Sequence, residues 1–153
     1  MTKIKKYGVA ALVVNLLFMV VGVGLFLYLK DAIYSFPFGE IDQEEIGPMS
    51  IWIVGLIVAM YGMLLLIPLA HAVLGGFNSL MMLLQVLTGK AGFSALPIFA
   101  DILIAMINGS FMLGGLSMIL DGGIVLILVF SVPFGLAVAS LILHIKAMSV
   151  KEK

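Results

Sequence analysis

Four side chains in this sequence are placed to do chemistry: His71, Asp101, Asn108 and His144. Asp101 stands inside a long apolar run, where an ionisable group costs about 2.5–3.5 kcal/mol on insertion scales and so marks a functional position by default. Asn108 follows seven residues later and Gly115 seven after that, with Ala105 between the first two, so all four share one helical face. A polar, small-residue stripe of this kind can line a proton or cation route. The plainer alternative gives Asp101 a hydrated place near the interface or a partner such as Lys90, and gives Asn108 an interhelical hydrogen bond.

His71 and His144 are the only histidines. Each lies 20 residues beyond the expected start of its apolar segment, at Ile51 and Ile124, which sets both at similar depth. Three chemistries fit two imidazoles near a carboxylate: ligation of a b-type haem through His71 and His144, a metal site, or proton relay. Two histidines and one carboxylate without motif spacing form only a minimal metal set, and no metal site is assigned. Histidine near a helix C-terminus also interacts favourably with the helix dipole without any further role.

The elements that must position these groups follow from composition. Of 153 residues, 63% are hydrophobic and 10% charged, and the mean hydropathy is +1.29. A soluble domain carries roughly a quarter charged residues, so this chain reads as an all-α membrane protein. About four spans are expected, at roughly 20 residues each. They fall at 7–29, 51–74, 95–120 and 124–146, in one transmembrane domain covering 1–153. The first run is too long for a signal peptide and has no small-residue cleavage site, so it is read as retained.

Breaks in the apolar pattern set the expected boundaries. The run 51–88 would extend about 57 Å as one helix, well beyond a hydrocarbon core of about 30 Å. Gly75-Gly76 with Asn78 and Ser79 is therefore expected to end the second span, and Pro68 to kink it. Residues 77–88 then form a short interfacial or re-entrant helix between the second and third spans. Ser50 and Ser94 are expected N-caps, Pro97 a first-turn proline, Asp121-Gly122-Gly123 a tight turn, and Pro133 a kink.

Small residues four apart let helices approach closely where lipid removes the hydrophobic drive. Ser131, Gly135 and Ala139 form such a ridge on the fourth span, and Gly55 with Ala59 a shorter one on the second. Gly22 and Gly24 offer less regular approaches on the first. These ridges serve either a compact bundle or a partner subunit.

Lysine placement gives an orientation. With four spans, Lys3, Lys5, Lys6, Lys90, Lys146, Lys151 and Lys153 fall on one side and Lys30 on the other. Both termini are thus expected to be cytoplasmic, with the acidic loop 30–50 outside. Cysteine is absent, which removes disulfides, thiolate metal sites and cysteine nucleophiles. Arginine is absent too, net charge is zero, and nucleic acid is not an expected partner. The acidic group Asp42, Glu44 and Glu45 reads as a solvated loop, and the scattered methionines as apolar packing.

No hydrolase, phosphate-loop or dinucleotide fingerprint is present, which disfavours an enzyme with its own soluble active site. Two function classes follow, with the lipid bilayer as the common partner. One is an accessory or structural subunit of a larger membrane complex, which predicts other membrane subunits or self-association. The other is a small oligomeric ion- or proton-linked transporter or channel using Asp101. A bis-histidine haem b protein is a further alternative.

Overall fold

The computed structural model describes residues 2–35, 49–117 and 123–150. Within them the chain forms four long helices: α1 (Lys3–Tyr34), α2 (Met49–Thr88), α3 (Ala95–Ser117) and α4 (Gly123–Met148). A single 3-10 turn, Ala91–Ser94, precedes α3. No strand occurs among the described residues. Four helical stretches are long and apolar enough to cross a membrane: Lys3–Asp31, Leu64–Thr88, Ala91–Ser117, which joins the 3-10 turn to α3, and Gly123–Met148.

The helix ends follow local chemistry. Thr2 caps α1, its Oγ1 accepting from Lys5 N at 3.3 Å, which satisfies one of the amides a helix start leaves open. At the end of α2, Gly89 takes φ +74° and its N–H donates to the Gln85 carbonyl at 2.8 Å. That left-handed residue closes the helix and turns the chain towards α3. Pro97 falls in the first turn of α3, where its missing N–H costs nothing.

Several expected boundaries change. Residues 77–88 are not a separate interfacial helix; they continue α2, which is unbroken from Met49 to Thr88. Gly75 and Gly76 do not end it because Gly75 has another use: a Cβ there would lie 2.9 Å from the Met19 backbone nitrogen. The same contact is made in reverse by Gly22, whose added Cβ would meet Ala72 N at 2.7 Å. These two glycines let α1 and α2 touch backbone to backbone. Ser50 lies inside α2 instead of capping it, and Ser94 Oγ turns to a side chain of α2. Asp121, Asp42, Glu44 and Glu45 lie outside the described residues.

The packing is a ring. α1 packs extensively on α2, α4 packs on α3, and α1 meets α4 across the middle. α2 and α3, although consecutive, have few close backbone approaches, and the Ala91–Ser94 turn wedges between α2 and α4 at one end. A small apolar cluster of Phe18, Ile104 and Ala137 joins α1, α3 and α4 at the centre, with Leu74 of α2 against it.

What is buried inverts the pattern of a water-soluble bundle. Asn15, Asn78, Gln85, Asp101, Asn108 and His144 are each at most 1% exposed, while Leu17, Leu27, Leu66, Leu87, Leu103 and Leu128 are each more than half exposed. Apolar side chains pointing outward cost nothing in hydrocarbon, and polar ones must then be satisfied within the bundle.

Candidate functional site: a polar ladder between the helices

Position 71, 78 and 85 on α2 carry His, Asn and Gln, and positions 94, 101 and 108 carry Ser, Asp and Asn. Seven residues are nearly two helical turns, so each set lines one face at steps of about 10.5 Å. Because α2 and α3 run in opposite directions, the sets meet rung by rung. Ser94 Oγ donates to Gln85 Oε1 at 2.5 Å, Asn78 Nδ2 donates to Asp101 Oδ1 at 2.9 Å, and Asn108 Nδ2 lies 2.8 Å from His71 Nε2. Side chains thus bridge two helices whose backbones make few close approaches.

α4 and α1 complete the ladder. His144 Nδ1 donates to Asp101 Oδ2 at 2.8 Å, and both side chains are buried, at 0% and 2% exposure. Asp101 therefore accepts on both oxygens, from His144 and from Asn78. Asn15 of α1 donates through Nδ2 to Ser140 Oγ of α4 at 2.9 Å and to the Ala11 carbonyl at 2.9 Å. Gln85 Nε2 reaches the Ile4 carbonyl at 3.4 Å. Each rung ties two or three helices together.

The lower rung also fixes a tautomer. Asn108 Nδ2 donates to the Ile104 carbonyl at 2.8 Å, and a carbonyl only accepts, so the amide nitrogen is the one facing His71. His71 Nε2 must then accept, which puts the imidazole proton on Nδ1. That Nδ1 has no hydrogen-bond partner. The ring is held edge-on to Phe18, with centroids 5.1 Å apart and planes at 86°.

Among the described residues three further buried polar atoms lack partners: Asn78 Oδ1, Asn108 Oδ1 and His144 Nε2. A buried unpaired polar atom costs about 1–3 kcal/mol, which natural structures accept mainly where the atom has work to do. All four orphan atoms belong to the two rungs that contain a histidine.

The structure brings Asp101 and His144 into direct contact and His71 to Asn108. It does not bring the two histidines together. His71 pairs with Asn108 and His144 with Asp101, one heptad apart on α3, which separates the rungs by about 10 Å along the axis. A haem iron held between His71 and His144 is therefore not supported by this geometry. The equal depth expected from residue counts fails because α2 runs on to Thr88. No group of three or more metal-ligating side chains occurs among the described residues.

The helix ridges lie elsewhere. Gly135 is exposed, and a Cβ added there meets nothing within 4 Å; Gly55 is likewise open. Ala59 is exposed, and Ser131 and Ala139 are half-buried. Within the chain, the close approaches are made by Gly8, Gly22 and Gly75 instead.

Asn78, Gln85 and Ser140 were not singled out by sequence as site residues, although 71, 78 and 85 repeat at the same heptad step as 101 and 108. Asn78 follows Gly75-Gly76, a pattern that a helix end shares. No protein-family model, curated protein or solved structure matches this chain.

Proposed function

We propose that the chain is a small multi-pass membrane protein that carries protons, alone or coupled to another solute, with Asp101 and His144 as the proton-binding pair. The observation that carries this reading is their contact at 2.8 Å with both side chains buried. A carboxylate and an imidazole in contact share one proton readily. With the imidazole neutral the pair bears one negative charge; a proton taken at His144 Nε2 makes it an ion pair with no net charge. Gain or loss of that proton changes the net charge held inside the bundle by one, and such a change can drive rearrangement. Asn78 holds the second carboxylate oxygen and fixes its orientation.

The pair is sealed in the conformation described, so a proton reaches it only when helices part. We place that parting at the α2–α3 seam, which is held by side chains with little backbone contact. Lys3, Lys5 and Lys6 begin α1, Lys90 precedes α3 and Lys146 ends α4, and Lys5 lies beside Gly89. This lysine-rich end is assigned to the cytoplasmic side.

The test is proton uptake into proteoliposomes driven by a potassium diffusion potential, read by an internal pH dye. Wild-type protein should raise the rate above empty vesicles, and Asp101→Asn should return it to background with the same amount of protein inserted. Absence of wild-type uptake across both imposed polarities, with or without an added solute gradient, would sink the proposal.

A second reading has its own support. The outward-facing Gly135, with open space where a Cβ would stand, is what a helix ridge kept for another subunit would present. In that reading the chain is an accessory subunit and the ladder is internal glue. Purification in mild detergent with a partner in fixed ratio, lost on Gly135→Ile, would establish it.

A further inference from the structure

Among the described residues Lys3, Lys5, Lys6, Lys90 and Lys146 stand at one end of the bundle. The described carboxylates are elsewhere: Asp31 lies near the far end of α1, and Asp101 is buried in the ladder, held by His144 and Asn78. The cationic end therefore has no acidic partner among the described residues.

Two of these lysines have a local reason for their place. Lys146 falls in the last turn of α4, and Lys5 carries its Cε to the end of α2, where a Cβ on Gly89 would lie 3.5 Å from it. Cations at helix C-termini offset the negative end of the helix dipole. The other three are placed against that preference. Lys3 and Lys6 begin α1, whose first turn holds no acidic residue. Lys90 precedes the Ala91–Ser94 turn and α3, whose first turns hold none either. All three are exposed. Lys3 and Lys6, three residues apart, share a face of α1 and repel one another. The approach of Lys5 to Gly89 brings this first turn beside Lys90. Three exposed cations thus gather at two positive helix ends, and an anion supplied from outside would relieve both the mutual repulsion and the opposition to the dipoles.

We infer that this end of the bundle binds the phosphate of an anionic phospholipid, with Lys3, Lys6 and Lys90 supplying the charge. The inference rests on the membrane reading but not on the proton-binding role of Asp101 and His144. Position selects a lipid over a soluble polyanion. Lys3 opens the apolar stretch of α1, and Lys90 lies between the stretches that end at Thr88 and start at Ala91, at the level where head groups meet the hydrocarbon. Leu87 and Leu96, on either side of Lys90 in the chain, are more than half exposed and offer apolar surface to the acyl chains. Lysine is a compact point charge without the fixed fork of arginine, so this surface selects charge and not head-group shape.

The experiment uses the full chain reconstituted in phosphatidylcholine vesicles, with spin-labelled phosphatidylglycerol and phosphatidylcholine as probes. The fraction of each probe slowed by the protein gives their relative affinity. Phosphatidylglycerol should be preferred at least about fivefold at low salt, the effect of one lysine near the surface. Phosphatidylserine should be preferred equally, and roughly 1 M sodium chloride should bring the preference towards parity. Lys3→Gln, Lys6→Gln and Lys90→Gln combined should abolish it. Lys90→Gln alone, outside the described helices, should lower it at least twofold and keeps the test open if the triple variant fails to insert. Lys30→Gln at the opposite end should leave most of the preference, and Asp101→Asn should leave all of it, which separates this surface from the proton pair. No preference in the wild type, an unchanged preference in the triple variant, or an equal loss from Lys30→Gln would overturn the inference. So would a preference erased by inorganic phosphate at an ionic strength where sodium chloride spares it, the mark of a free-phosphate site.

Discussion

His144 at the end of α4 donates to Asp101 near the start of α3 across 2.8 Å, at a point where neither side chain meets solvent. Breaking such a pair from one side leaves the other group buried and unpartnered, and it is this asymmetry that makes the pair testable. Asp101→Ala should destabilise the bundle by about 3 kcal/mol, because His144 Nδ1 and Asn78 Nδ2 both lose their acceptor. The Asp101→Ala/His144→Ala double variant should cost less than the two single losses summed, with a coupling of about 1–3 kcal/mol. Reversible unfolding in mixed detergent micelles measures both; strict additivity would show that the contact carries no energy of its own.

The rung at Gln85 and Ser94 gives a matched case without charge. Ser94→Ala leaves Gln85 Oε1 without its 2.5 Å donor and should cost about 1–2 kcal/mol. Gln85→Leu with Ser94→Ala replaces both partners by apolar groups and should lie close to wild type. The same unfolding assay ranks the two, and a double variant worse than the single one would contradict the ladder.

Glycines separate into two kinds by what a methyl group would meet. Gly22→Ala and Gly75→Ala would place Cβ at 2.7 Å and 2.9 Å from backbone nitrogens of the facing helix, which forces α1 away from α2 and should cost about 1–3 kcal/mol each. Gly24→Ala and Gly135→Ala meet nothing within 4 Å and should stay within about 0.5 kcal/mol in the isolated chain. Equal losses at all four sites would mean that α1 and α2 do not pack as described.

Topology can be read directly, because the chain has no cysteine. Single replacements Lys5→Cys, Lys90→Cys and Ser149→Cys should all react with a membrane-impermeant maleimide from the same side, and Lys30→Cys from the opposite one. Lys90→Cys and Lys5→Cys reacting from opposite sides would contradict the four-span arrangement.

Much of the site was already legible at Asp101 and Asn108, since their heptad spacing puts them on one face whatever the neighbours do. Both are buried together with Gly115 on the inner face of α3. Their partners were not legible. Asn78 and Ser79 beside Gly75-Gly76 look the same whether a helix stops there or another helix passes close by. Glycine serves both ends, and only the arrival of the α1 backbone at Gly75 decides between them. Once α2 is continuous, His71, Asn78 and Gln85 fall into register with Asn108, Asp101 and Ser94.

Composition and pattern alone determined the all-helical class, the four apolar segments and the gathering of lysine at one end, because these depend on each segment's own length, hydropathy and charge. The tertiary structure decided which polar groups meet, which glycines face a backbone, and that the two histidines occupy different rungs. Those outcomes depend on the register between helices, and register is set by side-chain and backbone fit across an interface that no single segment contains.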